Sequence, residues 1–395
     1  MVIVIGSGAG GATVARELAL KGAEVTLLER GPRPSDGHAS RYYANVDAGV
    51  KILRTLCLGG TTLVSTGNAM RCLEEELRSL GIDLTREFAE AERDLGVRIL
   101  PDSLYGPATR RLMEAAATMG TPMKKMPKFI DHGRCRLDGQ CAFGCPTNAR
   151  WSALWFVEEA EEHGCRTCCG TPAEEILVSS GQVRGVRSGS RHILDDEVVL
   201  AAGALETPRL LQGIDIPTAP LFIDTFVTIG GFCPAAGLHT EIPMNAYLHH
   251  DGTLVMPHYS RQLVDLLVER GWPATASDVL SMMVKIRDDD AGEVGDTISK
   301  AVTPRDAGTL SAGAAHAGAI LVEAGADPRS LVAASLRGTH PGGTARIGVA
   351  VDTYLQTPVE GLYVADASVL PGAPGGPPIL TIVALGKYVA RRILE

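Results

Sequence analysis

The chain has 395 residues, enough for about two or three domains and a large buried core. Its formal net charge of −9 argues against sequence-independent binding of nucleic acid, which requires many Lys and Arg side chains near phosphates. We find no apolar run long enough to span a membrane and no basic segment ahead of an apolar stretch, so neither a spanning helix nor an export signal is predicted. The cysteine count of nine, odd and without signs of export, indicates a reducing compartment, and we expect a cytoplasmic protein.

The N-terminal segment predicts a dinucleotide-binding fold. Met1–Ile5 is a β-branched run, typical of a buried parallel strand, and a glycine-rich turn at Gly6–Gly11 follows it. Helical composition then extends over Ala12–Leu20, and a second apolar strand, Ala23–Leu28, ends on Glu29. Strand, turn, helix, strand and terminal acid therefore occur in the order and at the spacing of a Rossmann-type unit.

Each glycine of the turn has a physical reason at its position. Gly6 allows the tight turn, Gly8 lets the backbone approach a pyrophosphate, and Gly11 lets helix and strand pack closely. The start of the helix offers unpaired N–H groups and the positive end of its dipole to phosphate. Glu29 stands where an acid accepts hydrogen bonds from the adenosine ribose. This unit predicts dinucleotide binding, and by itself it does not distinguish FAD from NAD.

Four further segments narrow the class of protein. They are Cys57–Arg71 (CLGGTTLVSTGNAMR), Val198–Leu211 (VVLAAGALETPRLL), Gly338–Gly348 (GTHPGGTARIG) and Gly361–Ile382 (GLYVADASVLPGAPGGPPILTI). With these segments and its N-terminal turn, the chain resembles the glucose–methanol–choline (GMC) family of FAD-dependent oxidoreductases. The resemblance covers both ends and the middle of the chain. It is thin over residues 74–130 and 215–330, where the substrate domains of that family vary most.

The resemblance implies FAD as the cofactor and assigns most of its contacts. The Gly59–Thr62 loop and Asn68 would face the flavin, although a glycine-rich loop is also compatible with an ordinary structural turn. Asp366, at the end of a last apolar strand, would face the pyrophosphate and ribityl region, and the helix that follows would direct its N-terminus at the flavin. The predicted cofactor-binding residues are Gly6, Gly8, Gly11, Glu29, Arg30, Gly59, Gly60, Thr61, Thr62, Asn68, Ala202, Gly203, Asp366, Ala367, Pro378 and Ile379.

One histidine is the candidate for catalysis. His340, in the segment Thr-His-Pro-Gly-Gly-Thr, matches the active-site histidine of the family. Oxidation of an alcohol by hydride transfer requires a base for the hydroxyl proton, and histidine suits this role because its pKa lies near neutrality. Without the family context, a structural histidine before Pro341 would be the simpler interpretation. Pro377 stands where the family usually has a second His or Asn, and a proline side chain neither donates nor accepts a hydrogen bond.

A cysteine-rich segment suggests a second redox centre. Cys135, Cys141 and Cys145 lie within eleven residues of one another, and a Cys-Pro ending is typical of bacterial iron–sulfur ligation. The alternatives are free buried thiols and zinc, which would need a fourth ligand, for example from the CRTCC stretch at 165–169. The segment also resembles the one that holds a three-iron cluster in certain bacterial multi-subunit GMC dehydrogenases. We therefore expect an iron–sulfur cluster (three-iron or four-iron) that passes electrons to a protein acceptor or partner subunit.

The predicted fold is α/β, with a discontinuous Rossmann-type FAD-binding domain and an inserted, smaller α+β substrate domain. The acidic run Asp288–Asp290 in the insert is interpreted as a solvated hairpin tip rather than a metal site. The predicted boundaries are 1–73, 131–212 and 336–395 for the FAD-binding domain, 74–130 for a helical cap, and 213–335 for the substrate domain.

Three functions are compatible with these features. The leading hypothesis is an FAD-dependent dehydrogenase that moves a hydride between an alcohol-type small molecule and flavin. The second is a flavin-dependent reductase of a C=C or carbonyl substrate, which the proline at position 377 keeps open. The third is a non-catalytic flavin subunit for electron transfer.

Overall fold

The computed structural model describes residues 1–35 and 38–395. The strands, numbered in chain order, are β1 (Val2–Ile5), β2 (Val25–Glu29), β3 (Val46–Asp47), β4 (Lys51–Ile52), β5 (Lys124–Lys125), β6 (Arg166–Cys169), β7 (Glu175–Ser179), β8 (Gln182–Ser188), β9 (Arg191–Leu194), β10 (Val198–Leu200), β11 (Phe226–Phe232), β12 (Ala246–His250), β13 (Thr253–Pro257), β14 (Val279–Ile286), β15 (Gly292–Val294), β16 (Ile298–Lys300), β17 (Val332–Ala333), β18 (Arg337–Gly338) and β19 (Leu362–Val364). The α-helices are α1 (Ala9–Ala19), α2 (Glu74–Ser79), α3 (Thr85–Leu95), α4 (Pro107–Thr118), α5 (Ala153–Glu162), α6 (Thr207–Gln212), α7 (Arg261–Glu269), α8 (Pro304–Glu323) and α9 (Ile379–Leu394).

A five-stranded parallel sheet brings together strands from the N-terminal, middle and C-terminal parts of the chain. Within the described residues its strand order is β19-β10-β1-β2-β6, and every neighbouring pair is parallel. β1 and β10 are buried along their whole length, as strands covered on both faces must be. Helix α1 packs against α5 and α9 beside this sheet. The predicted α/β architecture with a Rossmann-type parallel sheet is confirmed.

The junction of β1 and α1 requires glycine at Gly6, in the turn, and at Gly10 and Gly11, at the start of α1. Gly6 has a φ of +95°, and a Cβ there would lie 2.3 Å from the carbonyl oxygen of Ala201. A Cβ on Gly11 would lie 1.9 Å from the carbonyl oxygen of Gly6. These close approaches allow α1 to begin directly at the end of β1 and to face the same edge of the sheet as the residues after β10.

A second, larger sheet stands beside the first. Its path in the described part of the chain is β3-β4-β18-β11-β14-β13-β12-β5, with β17 also paired to β11. Helix α8 packs across β11, β13 and β14. Short strands from residues 46–52 and 124–125 complete this sheet, although both segments lie outside the predicted substrate domain. The predicted domain boundaries therefore stay a prediction.

The prediction that the acidic run at 288–290 is a solvated tip was wrong for Asp288, although Asp290 is exposed. Asp288 is only 5% exposed and forms an ion pair of 3.2 Å with the buried Lys300. Its carboxylate also accepts hydrogen bonds from the backbone of Ile223 and Asp224 and from the Thr225 hydroxyl, at 2.7 Å for the hydroxyl. The run therefore anchors the residues just before β11, because a buried carboxylate must be paired or hydrogen-bonded.

Candidate active site

A cavity of about 1030 Å³ lies between the two sheets. One end is formed by residues that follow the carboxyl ends of β1, β2, β10 and β19, the edge at which open parallel sheets bind their ligands. The other end is formed by one face of the larger sheet. The volume is at the upper end of the range for ligand and cofactor sites, so the cavity has room for a dinucleotide that extends from one sheet to the other.

Most of the predicted cofactor-binding residues line this cavity. Gly11 and Gly59 are the two that do not, and both instead meet neighbouring protein atoms at close range. The predicted residues that line the cavity are Gly6, Gly8, Glu29, Arg30, Gly60, Thr61, Thr62, Asn68, Ala202, Gly203, Asp366, Ala367, Pro378 and Ile379.

Glu29 is held rigidly at the end of β2. It is 8% exposed, and its Oε2 accepts a hydrogen bond of 2.6 Å from the Ser7 hydroxyl. Its Oε1 accepts one of 2.7 Å from the backbone N–H of Gly31. Oε2 also accepts a hydrogen bond of 3.3 Å from the Ser7 backbone N–H, so the lone pair left for a ligand hydroxyl is on Oε1. The acid is thus oriented into the cavity before any ligand arrives.

Asp366 is fixed in a similar way at the end of β19. Its Oδ2 accepts hydrogen bonds from the backbone N–H of Gly203 at 2.8 Å and from the Thr207 hydroxyl at 2.6 Å. Its Oδ1 accepts one of 2.7 Å from Ser368 N–H. This carboxylate therefore joins the loops after β10 and β19, two neighbouring strands of the parallel sheet.

His340 lies at the boundary between the two ends of the cavity. Its Nδ1 is 3.0 Å from Oδ2 of Asp224, and Oδ1 of Asp224 accepts a hydrogen bond of 3.0 Å from Gly375 N–H. Burial raises the pKa of Asp224 to about 7. Burial and the nearby Lys285 charge lower the pKa of His340 well below its ordinary value. A neutral imidazole with its Nδ1–H donated to a carboxylate carries a basic lone pair on Nε2.

Lys285 is a second buried ionisable group beside His340. It is 3% exposed, and its Nζ donates to the backbone oxygen of Asp224 at 3.0 Å and to the Thr339 hydroxyl at 3.1 Å. Burial lowers the pKa of Lys285. Neither Lys285 nor Asp224 was predicted as a site residue from the sequence. The sequence carries one signal for these two residues. Two strongly apolar segments each end on a charged residue, VLSMMVK on Lys285 and LFID on Asp224.

Pro377 lines the cavity, but it presents only a ring there. Its backbone oxygen lies 3.5 Å from the thiol of Cys72. The side-chain donors near His340 thus come from elsewhere in the chain, with Lys285 among them.

The comparisons with known proteins assign the family. A family model of FAD-dependent oxidoreductases matches residues 1–392. An uncharacterized GMC-type oxidoreductase of Mycobacterium tuberculosis is 30% identical over 98% of this chain and 75% of its own length. The chain belongs to the GMC-type FAD-dependent oxidoreductases. The family resemblance drawn from the sequence motifs is therefore confirmed.

Other relatives of this GMC-type oxidoreductase cover nearly the whole chain. An uncharacterized protein of Methanocaldococcus jannaschii is 31% identical over 99% of both chains. A long-chain-alcohol oxidase of Arabidopsis thaliana is 23% identical over 100% of this chain and 66% of its own length. Among solved structures, pyridoxine 4-oxidase from Mesorbium loti superposes with a TM-score of 0.74, at 17% identity over 99% of this chain and 98% of that one. Formate oxidase of Aspergillus oryzae gives 0.73, at 15% identity over 99% and 97%.

The residues of the cavity fit the FAD that the family implies. Ala9 and Gly10, in the first turn of α1, line the cavity, and the first amides of a helix have no acceptor within it. A Cβ added at Gly8 would meet no atom within 4 Å, so space is open for a phosphate beside the turn. With Glu29 at one end and an enclosed region beside His340 at the other, the GMC-type enzyme has a continuous cradle for a dinucleotide.

The three predicted metal ligands do not form a metal site in the arrangement seen. Cys135, Cys141 and Cys145 are partly buried and unbonded to one another, and Cys145 Sγ accepts a hydrogen bond of 3.3 Å from Ala149 N–H. No group of three or more His, Cys, Asp or Glu side chains in residues 1–35 and 38–395 is placed to hold a metal ion. The arrangement of these thiols therefore does not support the predicted iron–sulfur cluster. Across the same residues, no helix is both long and apolar enough to cross a membrane.

Proposed function

We propose that the protein oxidises an alcohol group of a small molecule, with FAD as the hydride acceptor and His340 as the base. The observation that carries the proposal is the hydrogen bond of 3.0 Å between Nδ1 of His340 and Asp224 at the wall of the cavity. Further support comes from the relatives, since one is named a long-chain-alcohol oxidase and a structural neighbour a pyridoxine oxidase.

The chain supplies the proton chemistry of this reaction. Asp224 holds His340 in the tautomer whose Nε2 can take the hydroxyl proton, and it stabilises the imidazolium that results. The Lys285 ammonium beside this pair stabilises negative charge as it develops on the substrate oxygen. When bound, the flavin accepts the hydride from the carbinol carbon. Asp224 and Lys285 are buried, which strengthens their electrostatic interactions with the partly exposed His340.

The remaining cavity residues are proposed to bind the cofactor. Glu29 accepts hydrogen bonds from the adenosine ribose, and the first turn of α1 with Gly8 binds the pyrophosphate. Asp366, the start of α9 at Ile379 and Thr61 would hold the ribityl chain and flavin. Each of these assignments follows the family pattern, and each side chain or backbone group lines the cavity.

Glu29→Ala is expected to weaken FAD binding by about 10- to 100-fold, because hydrogen bonds to a charged group contribute about 1.5 to 3 kcal/mol. Titration of the apoprotein with FAD, followed by quenching of flavin fluorescence, measures the affinity. Glu24→Ala, which removes an exposed carboxylate just before β2, is the matched control and should bind FAD normally. Equal affinities for wild type and Glu29→Ala would contradict the assignment.

Anaerobic mixing with a panel of primary and secondary alcohols tests the function. Bleaching of the flavin absorbance, with formation of a carbonyl product, is expected. If alcohols leave the flavin oxidised while the pre-reduced enzyme is reoxidised by an enone or an aldehyde, the chain is a reductase. If neither occurs and the flavin exchanges electrons only with redox proteins, it is an electron-transfer subunit.

The electron relay is a separate part of the proposal. Its support is electrostatic: the buried Lys128 and Arg150 side chains donate hydrogen bonds to neutral oxygens, and both act to lower the pKa of the Cys141 thiol, which burial raises. Such buried positive charge favours an anionic neighbour. Iron and acid-labile sulfide in protein purified without air would support a cluster that delivers electrons to a protein acceptor, and their absence would remove it. The hydride-transfer proposal does not depend on this result.

A further inference from the structure

The substrate end of the cavity is a patterned face of the larger sheet, which we call the substrate face. Paired residues on neighbouring strands share a face, and two such rows line the cavity. One row runs Lys285–Phe226–Arg337 across β14, β11 and β18. The next row contains Met256, Met283 and Thr228. The face therefore has an apolar centre with a cation on each side of it.

The cation at the outer side, Arg337, has no acidic partner in the described part of the chain. Its Nη2 donates a hydrogen bond of 3.2 Å to Oε1 of Gln262. The same Gln262 oxygen accepts from the Ser335 hydroxyl at 3.0 Å, which fixes the amide in place. A guanidinium has five N–H donors in a planar fork, so most of those on Arg337 remain for a ligand.

The other groups around Arg337 offer no negative charge. His258 lies beside it, half-buried, and burial followed by the Arg337 and Lys285 charges lowers the pKa of His258 to about 4. Its Nδ1 contacts the Thr228 hydroxyl at 3.1 Å, so this neighbour is a neutral imidazole at physiological pH.

The carboxylates that line the cavity are all engaged elsewhere. Each of those in the described residues is bound by backbone N–H groups, hydroxyls or other arginines. They are Glu29, Glu174, Glu206, Glu241 and Asp366. At the reaction end, the nearby charges of Asp224 and Asp288 act to raise the pKa of Lys285, against the larger lowering effect of burial. Arg337 is therefore the one cation of the substrate face, among residues 1–35 and 38–395, that lacks a compensating charge.

We propose that the substrate is an anionic alcohol whose carboxylate binds Arg337 while its hydroxyl binds His340. This rests on the proposed function and adds the substrate class to it. Arg337 and His340 are three residues apart, so their Cα atoms lie at most about 10 Å apart, and both residues line the cavity. Lys285 and Arg337 lie on the strands on either side of β11, so the distance between their backbones is two strand spacings, also about 10 Å. A spacer the size of one aromatic ring fits between the two polar ends, against Phe226, Met256 and Met283.

A matched pair of alcohols tests the proposal on the FAD-loaded enzyme. The probes are para-hydroxymethylbenzoate, para-methylbenzyl alcohol, and para-methylbenzoate as a charged compound that cannot react. The charged alcohol should be preferred over the neutral one by about 10- to 100-fold in the ratio of reduction rate to Kd, the value of a charge-assisted hydrogen-bonded pair. Arg337→Gln should bring the ratio between the charged and the neutral alcohol close to one, and Arg337→Lys should retain part of the preference.

A measurement of binding, without turnover, distinguishes failure of this proposal from failure of the proposed function. Para-methylbenzoate should perturb the flavin spectrum of the wild type and should bind Arg337→Gln about 10- to 100-fold more weakly, whether or not any alcohol reacts. Arg261→Gln is the matched control, because Arg261 lines the cavity but is largely exposed and is paired with Asp265. Any of three results would overturn the proposal. The charged and neutral alcohols could react equally well, Arg337→Gln could leave the affinity for para-methylbenzoate unchanged, or neither charged probe could bind.

Discussion

His340→Ala is expected to slow flavin reduction by an alcohol substrate by about 10²- to 10⁴-fold, the usual contribution of a general base. The imidazole is the group at the cavity wall whose basic nitrogen is oriented by a buried carboxylate, and alanine leaves the hydroxyl proton with no acceptor. Anaerobic stopped-flow absorbance at the flavin band measures the rate. The protein should still bind FAD, since His340 is not among the residues proposed to bind the cofactor.

His192→Ala serves as the control for this variant. His192 is an exposed histidine on β9, and its loss should change neither the reduction rate nor the flavin spectrum. If His340→Ala retains the wild-type rate, the assignment of the base is wrong. If it loses FAD, the rate comparison should be repeated with His340→Gln, which keeps a polar side chain of similar length.

Asp224→Asn is expected to cost a comparable factor, about 10²- to 10⁴-fold, although it is nearly isosteric with the wild type. Gly375 N–H donates to Oδ1 of Asp224, so the asparagine carbonyl would keep that position and its amide NH₂ would face His340. The imidazole would then accept a hydrogen bond at Nδ1 and carry its proton on Nε2. That tautomer cannot take a proton from the substrate.

The pH dependence of flavin reduction provides a readout that a merely structural role of Asp224 would not move. Burial raises the pKa of Asp224 to about 7. Below that pH the carboxyl binds a proton and no longer supports His340 as a base, so the wild-type rate should rise with pH through about 7. The rise should be absent in Asp224→Asn. A wild-type rate that is flat from pH 5 to 9, or an Asp224→Asn profile with the same rise, would contradict the role given to this pair.

The sequence was sufficient for the parts of the fold that depend on local spacing. The turn at Gly6 and the acid at Glu29 belong to one continuous βαβ unit, whose geometry is set within about thirty residues. Asp224 could not be found in this way, because it is 116 residues from His340 and meets it only through the pairing of β11 with β18. Lys285 reaches the same place through the register of β14 against β11.

Burial was the other property that the sequence pattern misjudged. Three consecutive aspartates at 288–290 are typical of a solvated turn, yet Asp288 is buried against Lys300. Its partners are backbone groups at 223 and 224, and no local pattern reveals such a pairing over about sixty residues. Asp288, whose burial was not predicted, binds the backbone N–H of Asp224. The wrong prediction for Asp288 and the failure to predict Asp224 therefore have the same cause, a contact between residues far apart in the sequence.

The central claim is that this chain removes a hydride from the carbinol carbon of an alcohol with His340 as the base. The most direct measurement is anaerobic single-turnover reduction by the fastest alcohol of the panel, with hydrogen or deuterium on that carbon, and quantification of the carbonyl product. We expect one carbonyl per flavin reduced, a slower reaction with deuterium, and almost no reaction in His340→Ala. A flavin that stays oxidised with every alcohol, or bleaching without a carbonyl product, would contradict the claim.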